Sequence, residues 1–265
     1  MKFNDNFLIR YLSAAPMALS IERSQECRIL SKLPFARPIL DMGCGDGVFA
    51  GILFNEFIDA GIDADQAEID NAARTGMYKE LIACKGNDVP KDQGAFQTVF
   101  SNSVLEHIID LGPTLREVHR LLAPGGHFYV TVPTDRFERY SVASRLLEGV
   151  GLTRLAGRYR SFYNRFWRHY NVHDVAGWSD IFKEAGFRVS TSRLYHPQNL
   201  CTLCDFLVIF ALPSFVFKKA LGRWILIPAF RRFYIRLPGA AIVPLVDRLE
   251  QQDGGGLAFF DLIRP

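Results

Sequence analysis

Residues 39–50, which read ILDMGCGDGVFA, join an acid to a turn with very few side chains. Asp41 lies within an apolar run, and three of the six positions that follow it are glycine. The three glycines are Gly43, Gly45 and Gly47. Because glycine has no Cβ, this turn can adopt positive φ angles or let a ligand contact the backbone. Since one glycine usually suffices for a turn, we expect a ligand here.

Three histidines and one tyrosine carry groups that could contact a second substrate. His107 lies in SNSVLEHI, and His169, Tyr170 and His173 lie in WRHYNVHD, just before a predicted helix. Imidazole exchanges protons near neutral pH, which suits a general base. The alternative for each residue is ordinary packing. We treat these four residues as the candidate catalytic groups.

The cysteines do not form a convincing metal site. Cys201 and Cys204 make a single C-x-x-C with His196 nearby, but a tetrahedral zinc site needs a fourth ligand. Buried core cysteines are the better interpretation, and we expect no metal. The chain has five cysteines, an odd number that favours a reducing compartment. Its first twenty residues lack an uninterrupted apolar segment, so we expect a cytoplasmic protein.

Alternating strand and helix patterns position these residues. Strands are predicted at 38–42, 57–63, 80–84, 96–101, 127–133, 187–196 and 255–265. Helices are predicted at 3–13, 19–32, 47–57, 64–76, 113–122 and 172–186, the fifth ending in a proline–glycine stop. This alternation indicates a mostly parallel sheet covered on both faces. Ligands of such sheets bind beyond the carboxyl ends of the strands, where the glycine turn lies.

Four motifs in this order resemble the class I S-adenosylmethionine-dependent methyltransferases of the small-molecule, type 11-like kind. They are LDMGCGDG, GIDAD, SNSVLEHI and LLAPGGHFYVTVP, within residues 38–133. The resemblance implies an α/β, Rossmann-like, doubly wound sheet of seven strands with the last antiparallel. It also implies S-adenosylmethionine as the cofactor. We expect one domain over 1–265, with N-terminal helices over 1–37 and a cofactor-binding core over 38–133.

The resemblance assigns cofactor contacts to seven residues. They are Asp41, Gly43, Cys44, Gly45, Asp63, Ala64 and Asn102. Gly43 and Gly45 would let the methionine part of the cofactor lie against bare backbone. Asp63 ends the second strand, where a carboxylate can accept both ribose hydroxyls. Asp41 and Asn102 would serve the amino-acid end of the cofactor, and the alternative for each is loop packing.

Two features depart from a simple assignment. Many relatives place an adenine-binding acid five residues before a loop proline, but here Lys85 holds that position relative to Pro90. Asp88 lies close by in the sequence and could substitute if the loop is shortened, so the adenine contact stays open. A dinucleotide site is the competing interpretation of the turn, but its pattern is G-x-G-x-G without the spaced final glycine of G-x-G-x-x-G.

Two segments do not belong to the predicted sheet, and they point to the acceptor. The lid insertion, residues 134–172, has eight arginines against three acids, and aromatic residues are interspersed among them. The cap insertion, residues 197–252, has seven basic residues against three acids and contains FLVIFALPSFVF, WILIPAF and LPGAAIVPLV. Apolar segments bordered by basic residues are typical of elements that bind an anionic membrane surface. The alternative is a helical cap or a dimer contact.

Together these features predict methyl transfer to oxygen, carbon or nitrogen of a small, amphiphilic or lipid-linked acceptor. The protein would act in the cytoplasm, with peripheral association at the inner face of the membrane. Arginines among aromatics also suit RNA, which makes an RNA methyltransferase the first alternative. A non-catalytic module that binds S-adenosylmethionine is the second.

Overall fold

A seven-stranded sheet forms the centre of the computed structural model, which describes residues 1–222, 224–225 and 236–265. The strands are β1 (Ile39–Met42), β2 (Ile58–Asp63), β3 (Tyr78–Ala83), β4 (Phe96–Asn102), β5 (Leu122–Pro133), β6 (Arg188–Tyr195) and β7 (Leu257–Ile263). Their order is β3-β2-β1-β4-β5-β7-β6. The pairs among β1 to β5 are parallel, and β7 pairs antiparallel with both β5 and β6. The predicted fold class is therefore confirmed.

Helices lie on both faces of the sheet and in the two insertions. They are α1 (Phe7–Ala14), α2 (Met17–Leu30), α3 (Val48–Leu53), α4 (Gln66–Ala73), α5 (Leu111–Leu121), α6 (Val142–Gly149), α7 (Thr153–Trp167), α8 (Val175–Glu184), α9 (Gln198–Leu221) and α10 (Arg236–Glu250). Two single 3₁₀ turns span Leu105–His107 and Glu138–Tyr140. The predicted start of the first helix at Phe3 was wrong, because Phe3 forms a β-bridge with Phe54.

The predicted start of the fifth strand was also wrong. Leu122 already pairs with Phe96, and pairing resumes at Thr98 with His127 after a shift in register. The proline–glycine segment after Leu122 is thus an irregularity within β5. Here β5 has more residues than the part of β4 with which it pairs. It does end α5, as predicted, since that helix stops at Leu121.

Side chains of the strands alternate between two cores. Leu40 and Met42 of β1 face the layer of α5 and α8, where Trp178 is fully buried. Ile39 points to the opposite layer, where it packs with α1, α2 and α3. This period of two lets both faces of each central strand bury apolar area. The rigid sheet that results holds its carboxyl edge in place.

The insertions pack against each other above that edge. The lid insertion contains the turn at Glu138–Tyr140, α6 and α7, and the cap insertion contains α9 and α10. The backbone N–H of Val142 donates to Asp205 Oδ2 at 2.8 Å, and Arg145 donates to Thr202 Oγ1 at 3.0 Å. Most of the segments WILIPAF and RRFYIR, to which the sequence drew attention, lies outside the described residues. In the described part of the chain, every helix is too short or too polar to cross a bilayer.

Candidate active site

A cavity of about 520 Å³ opens where the strand order reverses, between β1 and β4. Its wall includes the glycine turn, α1, α2, the turn at Leu105–His107, α7 and α9. Seven of the predicted site residues line it: Asp41, Gly43, Cys44, Gly45, Asn102, His107 and His169. Asp63, Ala64, Tyr170 and His173 are not part of this wall. The fold therefore brings members of both predicted groups, five from the cofactor side and two from the acceptor side, to one cavity.

Two positions in the turn are suited to glycine for different physical reasons. A Cβ added to Gly45 would meet no atom within 4 Å, while φ there is +51°. A Cβ added to Gly43 would come within 2.6 Å of Val104, so packing already requires glycine at that position. Gly45 is thus the position where bare backbone faces open space, as a close ligand contact needs.

Asp63 lies directly behind this turn. Its Oδ2 accepts a hydrogen bond from the Gly45 N–H at 3.0 Å, and its Oδ1 accepts one from the Asp65 N–H at 2.9 Å. Each carboxylate oxygen has a further lone pair, so two more donors can still bind. These backbone contacts orient the carboxylate at the end of β2. Its role toward a ribose, and that of exposed Ala64 beside it, stay predictions.

Asp41 is buried under the turn and bonded within the protein. The Tyr78 hydroxyl donates to Asp41 Oδ2 at 2.8 Å. Burial raises the pKa of Asp41 to about 7, and the nearby charge of Asp63 adds to this, whereas the Tyr78 hydrogen bond opposes it. Near neutral pH the Asp41 carboxyl therefore exists in both protonation states. Cys44, next along the wall, is buried and donates its backbone N–H to Ile62 at 2.9 Å.

Asn102 belongs to a network around Glu26, a residue that the sequence did not single out. The Asn102 amide donates to Glu26 Oε2 at 2.9 Å and accepts from the Thr131 hydroxyl at 3.0 Å. Glu26 is fully buried and also accepts from Arg23, at 2.8 and 3.0 Å, and from Tyr195 at 2.8 Å. One N–H and one lone pair of the Asn102 amide are left for a ligand. The network fixes which way this amide points.

Glu106, His107 and His169 form a second polar cluster in the cavity wall, with their ligand-capable atoms within 4.8 Å of one another. Glu106 is buried, and its Oε2 has no hydrogen-bond partner. Burial raises the pKa of Glu106 to about 8, and burial with nearby His107 lowers the pKa of His169 to about 4. The sequence singled out both histidines but missed Glu106, although it stands next to His107.

Tyr170 and His173 lie farther from the cavity. Tyr170 is 56% exposed, and its backbone N–H donates to the Glu106 carbonyl at 2.7 Å. The His173 ring packs on Trp178 with centroids 5.2 Å apart, and its carbonyl accepts from Asp135 at 3.2 Å. Both residues support neighbours of the cavity wall. Their proposed contact with an acceptor stays a prediction.

The cysteine pair is part of the core and of the cavity wall. Cys201 donates through Sγ to the His196 carbonyl at 3.0 Å, and Cys204 packs among apolar residues of α1, α2 and α10. Over the described ranges, these two cysteines and His196 do not form a three-ligand group. Lys85 and Asp88, the two options for adenine, are both exposed.

The end of α9 contacts the glycine turn. Lys218 Nζ lies 2.7 Å from Asp46 and 2.8 Å from Glu68. The Trp224 indole N–H donates to Asp46 Oδ2 at 3.1 Å. Because Asp46 lies within the glycine turn, the cap insertion is tied directly to the loop that is predicted to hold the cofactor.

Comparison with known proteins agrees with this geometry. A family model described as a methyltransferase domain matches residues 17–192. The chain belongs to the class I S-adenosylmethionine-dependent methyltransferase family. The dinucleotide interpretation of the glycine turn is thereby set aside.

Individual relatives match only part of the chain. The malonyl-[acyl-carrier protein] O-methyltransferase of Legionella pneumophila is 29% identical over 114 residues, which are 40% of this chain and 40% of that protein. The ubiquinone biosynthesis O-methyltransferase of Acinetobacter baylyi is 25% identical over 172 residues, which are 61% of this chain and 68% of that protein. A crystal structure of a SAM-dependent methyltransferase from Thermotoga maritima covers 94% of this chain and 92% of its own, with a TM-score of 0.55 and 13% identity. This last likeness concerns the fold.

The described residues fit the cofactor of this family. Gly45 offers open backbone, and the Asp63 carboxylate behind the turn has two lone pairs without a donor. The Asn102 amide has one N–H and one lone pair available. An ammonium, a carboxylate and a ribose need groups of these kinds.

Proposed function

We propose that this protein transfers the methyl group of S-adenosylmethionine to an oxygen, carbon or nitrogen of an amphiphilic acceptor at a membrane surface. The observation that carries the proposal is the cavity itself. One continuous wall runs from the open backbone at Gly45 to the imidazoles of His107 and His169. Helices with exposed apolar faces cover that wall.

In this proposal the chain acts mainly by binding and orientation. When bound, S-adenosylmethionine supplies a methyl group on a positively charged sulfur, which is already an excellent leaving group. Gly45 and Asn102 would hold the amino-acid end, and Asp63 would hold the ribose. Holding an acceptor in line with the methyl group then supplies much of the rate. His107 and His169 are the two predicted acceptor-side residues that line the cavity.

The acceptor side of the cavity is mostly apolar. Phe137, Tyr163 and Trp167 contribute aromatic rings from the lid insertion, and Val208 and Ala211 contribute aliphatic groups from α9. Such a surface favours an acceptor with an apolar part, because burying that part removes it from water. The relative named for ubiquinone biosynthesis is compatible with this chemistry.

The outer face of α7 has the features of an interfacial helix. Leu155, Phe162 and Phe166 are 47%, 59% and 61% exposed, and their spacing of seven and four residues places them on one stripe. A neighbouring stripe carries three exposed arginines: Arg154, Arg158 and Arg165. An apolar stripe beside cationic side chains is suited to the boundary between acyl chains and anionic headgroups.

The cap insertion carries a second set of exposed apolar side chains. Phe206, Ile209 and Phe210 of α9 are 50%, 61% and 68% exposed. Among the described residues, twelve of the fourteen exposed large hydrophobic side chains lie in the two insertions. Clustering of this kind marks an interaction surface. RNA binding would use the arginines and aromatics but not exposed aliphatic side chains such as Leu155 and Ile209, so the membrane is favoured.

Vesicle flotation tests the membrane part. We expect the protein to float with vesicles of phosphatidylcholine and phosphatidylglycerol at low salt. The triple variant R154Q/R158Q/R165Q should lose on the order of 100-fold in partitioning, since each arginine near an anionic surface contributes about 1 kcal/mol. Phe162→Ser with Phe166→Ser should weaken binding to neutral vesicles too.

Ile109→Ser is the matched control, because Ile109 is 77% exposed but lies outside both insertions. It should float like the wild type. Equal flotation of all variants, or selective capture of RNA by the wild type in the same buffer, would remove the membrane proposal.

Transfer itself is tested with S-adenosylmethionine carrying a labelled methyl group and a lipid extract of cells. Label in the organic phase that depends on Asp63 supports the proposed reaction. Binding of the cofactor without transfer to lipid, RNA or soluble extract would favour a non-catalytic module. Fractionation of cells tests the expected location at the cytoplasmic face of the membrane.

A further inference from the structure

The polar cluster of Glu106, His107 and His169 has the composition of a metal site. Two imidazoles and one carboxylate each offer one ligand atom, and these atoms lie within 4.8 Å of one another. A tetrahedral ion with bonds of about 2.0–2.1 Å needs ligand separations of about 3.3 Å. Binding would therefore draw the ligand atoms closer together, by up to about 1.5 Å. Three protein ligands would leave one coordination position open.

Hydrogen bonding prepares His107 for this role. Its Nδ1 lies 3.2 Å from the carbonyl oxygen of Arg168, which can only accept a hydrogen bond. Nδ1 must therefore carry the proton, and Nε2 keeps a lone pair, 3.8 Å from Glu106 Oε1. Metal-bound histidines commonly donate their second ring N–H to a backbone carbonyl in this way.

Glu106 supplies an independent observation. The residue is 2% exposed, it lines the cavity, and its Oε2 is buried without a hydrogen-bond partner. A buried carboxylate oxygen that lacks a donor carries a cost that a cation would remove. Arg23 attracts the Glu106 carboxylate electrostatically, but its guanidinium is already bound to Glu26.

We propose that Glu106, His107 and His169 bind one divalent first-row transition metal ion in the wall of the cavity. Two nitrogen ligands and one carboxylate favour an ion such as Zn²⁺ or Co²⁺ over Mg²⁺, which prefers oxygen ligands. The open coordination position would face the cavity, where an oxygen of an acceptor can reach it. This proposal departs from the sequence-based expectation of no metal, which considered Cys201, Cys204 and His196 as ligands but not Glu106. This site does not depend on the proposed methyl transfer.

The test uses untagged full-length protein, freed of metal with a chelator and titrated with Zn²⁺ or Co²⁺ alone. Isothermal titration calorimetry should show one ion per chain, and Co²⁺ should produce visible absorption bands typical of low coordination number. His169→Ala and Glu106→Gln should each weaken Zn²⁺ binding by more than about 10–100-fold, the loss that a mere outer-shell partner already causes. His127→Asn is the matched control, since His127 also lies beside a carboxylate, Asp261, at 2.7 Å.

Circular dichroism confirms folding of each variant, and His169→Ala is informative even where Glu106→Gln does not fold. Absence of Zn²⁺ binding by the folded wild type, or equal affinity in wild type and His169→Ala, overturns the proposal. Tighter binding of Mg²⁺ than of Zn²⁺ overturns it as well. S-adenosylhomocysteine binding in the same metal-free samples reports on the methyltransferase site separately, so either conclusion can fail alone.

Discussion

Replacing Glu26 by glutamine should destabilise the protein strongly, because this carboxylate lies at the centre of a buried network. Its side chain is fully buried, and its two oxygens accept hydrogen bonds from Arg23, Asn102, Ser103 and Tyr195. These donors come from α2, β4, β6 and the residue after β4. The two hydrogen bonds between Arg23 and Glu26 join oppositely charged groups, and such charge-assisted bonds are stronger than neutral ones.

The magnitude follows from what Arg23 loses. Removing one partner of a buried ion pair typically costs about 3–5 kcal/mol, because the other charge is left buried. Glu22 lies 3.6 Å from the Arg23 guanidinium and offsets part of this loss. Glutamine also turns an amide N–H₂ toward donors. We therefore expect a loss of about 3 kcal/mol in the free energy of unfolding, or roughly 6–12 °C in melting temperature.

Urea unfolding followed by circular dichroism measures this change. Tyr195→Phe removes one hydrogen bond of the network and should cost about 1 kcal/mol. Glu184→Gln, on the exposed side of α8, is the matched control and should stay within about 0.5 kcal/mol of the wild type. If Glu26→Gln proves no more destabilising than Glu184→Gln, the network does not hold α2 against the sheet and our reasoning is wrong.

Three further predictions concern the cofactor side. Asp63→Ala should weaken S-adenosylhomocysteine binding on the order of 10–100-fold in calorimetry, as charge-assisted hydrogen bonds are lost. Lys218→Ala removes ion pairs to Asp46 and Glu68, and should speed cofactor release up to about fivefold in stopped-flow fluorescence, as partly exposed pairs contribute under about 1 kcal/mol. Because burial raises the pKa of Asp41 to about 7, the wild type should lose on the order of 4 kcal/mol more stability than Asp41→Asn as pH rises from about 4 to about 7. Glu106, whose pKa burial also raises, contributes to both proteins and cancels in this comparison.

Each of these has an outcome that contradicts it. Wild-type affinity in Asp63→Ala would exclude the ribose contact. Unchanged release in Lys218→Ala would show that the cap insertion does not retain the cofactor. The sign for Asp41 follows because the folded protein binds a proton that the unfolded chain has already lost in this pH range. Equal slopes for the wild type and Asp41→Asn, with exposed Asp110→Asn as control, would show that folding does not raise the pKa of Asp41.

The amino-acid sequence by itself determined the fold class and the position of the glycine turn. Alternating patterns of period 2 and 3.6 are local, so strands and helices could be predicted and the sheet was confirmed. The glycine turn could be found because its residues are neighbours in the chain. Even so, only the structure separates Gly45, which faces open space, from Gly43, whose Cβ would strike Val104.

Tertiary structure alone decided which polar side chains share a site. Glu26 of α2 meets Asn102 of β4 and Tyr195 of β6, and Glu106 meets His169 from beyond α7. No local pattern relates such residues, since they come together through packing of helices on the sheet edge. The arginines and apolar residues of the lid insertion can likewise be read from the sequence. Only the fold shows that those of α7 form adjacent exposed stripes on a helix that lines the cavity. Burial and proximity are properties of the packed chain, and they set the chemistry of this site.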